Sequence, residues 1–201
     1  MLFRYLALFY RTPRALLMAC LVMFMLMTGG CARTALQLAY PAPAAPVLPK
    51  AGAPSICVVT FEDNRGRVEL GTYRDGALVY AASPVNDWLA RALADELAAV
   101  GFVVSYAPSF TLAQGSSPDY IVTGSIDDIW LLETSLTHYS CTIRMTLSLQ
   151  RSDGTHLFRN NFSSTVTRGT LPLVENGSQA MREAAMELAR PAAQSLGEKL
   201  L

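Results

Sequence analysis

Five side chains stand out by type and position: Cys31, Asp63, Arg65, Asp127 and Asp128. Cys31 is a thiol placed directly behind three small residues, Thr28, Gly29 and Gly30. A peptidase cleft needs small side chains just before the bond it cuts, and a thiol sulfur can carry a covalent group. Asp63 and Arg65 lie just past the β-branched, apolar run 55–62, which reads as a buried strand. Groups at that place can touch a ligand or a partner. They can equally form an Asp-Asn turn with a local ion pair, worth about 0–1 kcal/mol on a surface. Asp127 and Asp128 are adjacent carboxylates in a strand-like run, where neighbours point to opposite faces, so they are not expected to act as an acid–base pair. Glu133 is expected on the Asp127 face, but six residues away, about 20 Å at ~3.3 Å per residue.

Other chemistries find little support. The two histidines, His138 and His156, share no metal-ligand spacing. No Gly-x-Ser-x-Gly elbow occurs, and Gly66, Gly71 and Gly76 do not fit a phosphate loop. No metal, no cofactor and no catalytic residue is expected. The formal net charge is +0, with 16 basic and 16 acidic residues. Arg4, Arg11 and Arg14 fall in the first thirty residues, which hold no acid, so the remainder is slightly acidic. That balance, without a basic patch, argues against nucleic acid as a partner.

The elements that carry these residues begin with a leader. Residues 15–27 are an unbroken apolar run. As a helix they would span about 20 Å, short of the ~30 Å hydrocarbon core, so they read as a signal-peptide h-region rather than a permanent span. Residues 32–54 hold Pro41, Pro43, Pro46, Pro49 and Pro54. Ala-Pro repeats favour extended conformations and read as a flexible tether; the other reading is an arm packed on the domain. Residues 55–201 then form one domain with one core.

Within that domain, Asp75-Gly76 and Asp153-Gly154 signal tight hairpin turns with positive φ at both central residues. Ser83 is expected to cap a helix with Pro84 at its first position. Val85, Trp88, Leu89, Ala92, Leu93, Leu97 and Val100 make its apolar stripe, and Gly101 stops it. Residues 107–118 read as a loop. Residues 119–134 read as a long strand with disturbed alternation at Asp127-Asp128, suggesting a bulge. His138 to Gln150 alternates, with Tyr139, Cys141, Ile143, Met145, Leu147 and Leu149 on one face. A return strand with Phe158 and Phe162 inward follows. The final helix, from about Ser178, should be kinked or interrupted at Pro191. One apolar sheet face and two striped helices imply an α+β, two-layer sandwich: a mixed β-sheet with two helices on one face.

Met27-Thr28-Gly29-Gly30-Cys31 resembles a lipobox, the processing signal of bacterial lipoproteins. The resemblance implies cleavage between Gly30 and Cys31, a diacylglycerol thioether on Cys31 and an acylated amino terminus. Multiple chains give stable anchoring where one does not. Ala32, in place of Asp, resembles an outer-membrane address, on the periplasmic face. The segments 59–65, 70–71, 88–101 and 119–124 resemble the YajG-type family of bacterial lipoproteins, and the plan of the domain resembles the N-terminal periplasmic domain of TolB. With β-strand 119–134 between those of Cys57 and Cys141, as the resemblance implies, two strand spacings of about 9.6 Å separate the thiols, beyond the bridging limit of about 7 Å. The implied function is a lipid-anchored, non-catalytic binding or structural module with an envelope protein partner. The alternative is an auxiliary lipoprotein of an ABC-type lipid or solute transport system, which would need an apolar groove beyond the core.

Overall fold

The computed structural model describes residues 35–41, 48–169 and 175–200. Its organising element is one long strand. The β-branched run Ser55–Val59 forms β2, after a short β1 at Ala35–Leu36. Then come β3 (Glu62–Asp63), β4 (Glu69–Thr72), β5 (Leu78–Ala81), α1 (Val85–Val100), β6 (Val103–Ala107) and α2 (Phe110–Gly115). The long strands β7 (Tyr120–Ser135), β8 (His138–Arg151) and β9 (His156–Gly169) and helix α3 (Glu175–Leu200) complete the chain.

One edge of β7 takes β2, β3 and β4 in succession, all parallel: Ile56 opposite Tyr120, Glu62 opposite Ser125, Gly71 opposite Leu131. Its other edge pairs antiparallel with β8 along almost its full length, and β9 follows β8. Strand β6 lies parallel beyond β2, while β5 and then β1 lie beyond β4. The sheet is therefore mixed. Gly71 is required where β4 meets β7, because a Cβ there would lie 1.8 Å from the Leu131 carbonyl oxygen.

Helices α1 and α3 pack on each other and on one face of this sheet. The shared core joins Ile56, Val58, Val122, Ile126, Ile129 and Leu131 to Trp88, Leu93, Leu97, Met181, Leu188 and Leu196. The expected two-layer α+β arrangement is what forms. The alternating face of β8 is buried as expected, from Tyr139 to Leu149.

Several local expectations are corrected. Residues 107–118 contain α2, capped by the Ser109 hydroxyl, which accepts from the Leu112 N–H at 3.4 Å. It covers the opposite sheet face at a second small cluster of Cys57, Val59, Ala107, Ala113 and Ile121. Ser83 does not cap α1. The cap position falls on Pro84, with extended ψ of 124° and no side-chain bond. Both hairpins use three-residue loops, with only Gly76 (φ 84°) and Gly154 (φ 89°) left-handed. Tyr73 N–H bonds Ala77 O and Arg151 N–H bonds Thr155 O, the pattern of a type I turn closed by a glycine bulge. Helix α3 runs through Pro191. Buried Leu188, Ala189, Ala192, Ala193 and Leu196 hold both sides of the proline to the core.

The largest correction is at the amino-terminal end. Residues 35–41 are not free tether. Leu36 is 2% exposed in the main core, and β1 pairs parallel with β5. Tyr40 donates to Glu96 at 2.5 Å. Further on, Lys50 N–H bonds Gly101 O, and Gly101 is approached by the Lys50 stem. The folded unit thus reaches back beyond Ser55, and the packed-arm reading describes residues 35–41.

Candidate functional site

Gly30 and Cys31, the expected cleavage and lipidation residues, lie outside the described residues. Asp63 and Arg65 are brought together. Arg65 donates from Nε to Asp63 Oδ1 and from Nη2 to Oδ2, both at 2.7 Å, and its backbone N–H reaches Oδ1 at 3.3 Å. A further guanidinium N–H reaches the Glu69 carbonyl at 3.4 Å. The Arg65 side chain is only 3% exposed, and Asp63's is 34%. The Arg65 hydrogen bonds hold the Asp63 carboxyl below its ordinary value. This is a clamp that closes the β3–β4 loop; the arginine's donors are turned inward to the protein.

The adjacent aspartates are where the alternation argument fails. Strand β7 carries a bulge between Ile126, opposite Met145, and Asp128, opposite Arg144. The extra residue puts both carboxylates on the polar face. Asp127 accepts from Ser125 at 3.0 Å and from Thr146 at 2.7 Å. Asp128 is held between Arg67 and Arg144, the latter at 2.7 Å. The Arg67 guanidinium also stacks over Trp130, 4.3 Å from the ring centre. The same bulge moves Glu133 to the helix face, where it accepts from the buried Tyr139 at 3.2 Å.

Beside these residues the polar face is hollowed into a cleft of about 500 Å³. Its floor is the hydroxyl rows of β7 and β8, Thr123 and Ser125 beside Thr146 and Ser148, and Phe110 of α2 stands at one wall. Gln150, 7% exposed, lines it, and its amide makes no hydrogen bond within the described residues. Arg159 and Glu62 bring opposite charges to the rim. Sequence reading placed Ser148 and Gln150 on the polar face, but the concavity comes from α2, which was read as loop. Arg67 and Trp130 were missed because their stacking depends on the bulge.

The histidines are dispersed. His156 Nδ1 lies 3.5 Å from Ser148 Oγ, while His138 Nδ1 is 3.1 Å from Ser135 Oγ. Among the described residues, no three His, Cys, Asp or Glu gather as a metal site. Cys57 and Cys141 are free and buried. Strand β7 does separate them, but Cys57 is level with Ile121 and Cys141 with Leu131. Ten residues of strand, about 33 Å, keep them apart. Burial pushes the Cys141 thiol up to about 12.

The fold is similar to that of several solved structures. Protein XCC0632 from Xanthomonas campestris, described under the family DUF330, superposes with a TM-score of 0.55 at 14% identity, covering 83% of this chain and 94% of that one. The hypothetical protein CT253 from Chlamydia trachomatis gives 0.50 at 9% identity over 74% and 98% of the two chains. A minor lipoprotein from Acinetobacter baumannii aligns more loosely, at 0.43 and 15% identity over 72% and 92%. No family model matches the sequence, and no curated protein matches it.

Proposed function

We propose that this chain is a lipoprotein anchored through Cys31, facing the periplasm from the outer membrane, and acting by binding another envelope component without catalysis. The anchor rests on the lipobox-like segment Met27–Cys31. The binding role rests on one observation above all: the cleft on the polar sheet face, with the unpartnered amide of Gln150 in its wall. An amide that lines an open cleft can exchange its water for a polar group of a bound partner. The Ser148–His156 contact does not complete a hydrolytic triad, because no carboxylate is bonded to the imidazole among the described residues.

The test is photocrosslinking in intact envelopes from a photoreactive residue at Phe110. A discrete adduct that disappears with Gln150→Ala supports the cleft. Adducts that form equally well without Gln150 would sink it. Membrane fractionation decides the address, with Ala32→Asp expected to move the protein to the inner membrane.

A second reading, an auxiliary lipoprotein of an ABC-type lipid or solute transporter, is favoured by a different feature. A mainly apolar groove of about 720 Å³ lies between the arm and α3. Co-purification with a permease, lost on substitution of Met186 by a charged residue, would select this reading.

A further inference from the structure

That arm–α3 groove carries more than a choice between readings. Leu36, Ala39 and Pro41 form one wall, and Arg182, Glu183 and Met186 the other. Two of its features are not accounted for by packing.

The first is Arg182. Its Nε is closed off from solvent and has no hydrogen-bond partner. The guanidinium has no ion pair within the described residues, although an acid adjoins it. That acid, Glu183, is already committed to Arg168 and to the Gln179 amide at 3.1 Å. The residue as a whole is half-buried and lines the groove, so the rest of its guanidinium, not the sealed Nε, is what a ligand there would meet. An uncommitted guanidinium beside an apolar wall fits an anion that carries an apolar tail, and its planar fork matches phosphate oxygens.

The second is the length of chain to the anchor. Ala35, which lines the groove, follows Cys31 by four residues, a reach of at most about 14 Å. Ala35–Leu36 is fixed by pairing with β5 and by burial of Leu36. A groove so close in sequence to a lipid-bearing cysteine stays within headgroup range of the bilayer.

We infer that the arm–α3 groove seats the headgroup of a membrane phospholipid, with its phosphate on Arg182 and its upper acyl carbons along Leu36, Ala39 and Met186. Access to the bilayer rests on the lipid-anchor reading above. The lipid in question is a free bilayer phospholipid, distinct from the group on Cys31.

The full-length protein is reconstituted in vesicles of phosphatidylethanolamine and phosphatidylglycerol, a small part of the latter photoactivatable. After irradiation the crosslinked peptide is mapped by mass spectrometry. Adducts are expected between residues 178 and 186. They should fall about tenfold or more in Arg182→Gln, the loss expected for a charge-assisted hydrogen bond, and persist in Arg182→Lys. Thermal melting of both variants checks that the fold is kept. Adducts that ignore Arg182→Gln, or that lie only on other segments, would overturn the assignment. So would full competition by inorganic phosphate, which would make this a free-phosphate site. The mass of the Cys31 peptide is read from the same sample. A Cys31 without diacylglycerol refutes the anchor reading, while the crosslink map still judges the groove.

Discussion

Trp88 shows how a single residue can be both well placed and imperfectly satisfied. It is 6% exposed on the core side of α1, as its position in the apolar stripe implies, yet its indole Nε1 has no acceptor. Trp88→Ala should cost about 3–5 kcal/mol, the usual range for a buried aromatic truncation. Trp88→Phe should cost clearly less, because it removes the orphaned donor with part of the ring. Urea melts of the two variants check both, and a phenylalanine variant as unstable as the alanine one would show that the indole N–H is satisfied in solution. At Asp63 the sign of the pH effect follows from its depressed pKa. The contribution is fully present above the ordinary value of 3.8 and is lost as pH falls through the lower folded value. Asp63→Asn should therefore lower stability at neutral pH, by about 1 kcal/mol or less, because the carboxylate is 34% exposed and its charge is screened by solvent. It should also flatten the acid limb of the stability curve. Equal acid sensitivity in wild type and variant would refute this. These residues were legible in the sequence because each role depends on neighbours within a few positions. Arg182 and Gln150 were not, because a missing partner is a property of the folded surroundings.

Among the elements, those with a clear period were read correctly and those defined by partners were not. The α1 stripe and β8 alternation each repeat over a dozen residues or more, and burial followed them. Helix α2 spans six residues, too short for its apolar face to show against the loop composition. The arm contributes one buried leucine, Leu36, just ahead of the proline-rich run that begins at Pro41, and composition alone described the whole stretch as extended and solvated. Its worth can be measured. Leu36→Ala should destabilise by about 2–5 kcal/mol, and a protein beginning at Ser55 should lose at least that much. Unchanged melting of either would mean that β1 does not hold in solution. The bulge at Asp127 teaches a related lesson. Its disturbance was visible, but the facing of Asp127, Asp128 and Glu133 was inferred as if the pleat were unbroken. One inserted residue reverses every side chain that follows. Where β4 crosses β7, Gly71→Ala would place a methyl carbon inside the Leu131 carbonyl contact. That variant should lose protection of the β4 amides from hydrogen exchange before those of β8.

At the scale of the molecule, the class of fold was open to sequence reading because one sheet with one apolar face and two striped helices have few ways to cover themselves. The order of strands around β7 was not, since parallel pairing of three short segments on one edge leaves no local signature. The anchor and the domain are separate claims with separate tests. Cys31→Ser should abolish palmitate labelling and release the protein from membranes, while its melting stays that of the wild-type domain. Labelling at the wild-type level would remove the lipoprotein reading. One consequence of the sheet concerns behaviour at high concentration. Strand β9 pairs only with β8 among the described strands, so along 14 residues its outer backbone groups lack a sheet partner. Such an edge invites a strand from a second chain. Here the exposed Arg159 stands along it without an ion pair among the described residues, whereas Arg168 is neutralised by Glu183. An antiparallel self-pairing that set Arg159 against its own copy would bring like charges together, and salt, by screening them, should favour that association, which light scattering at rising ionic strength would show.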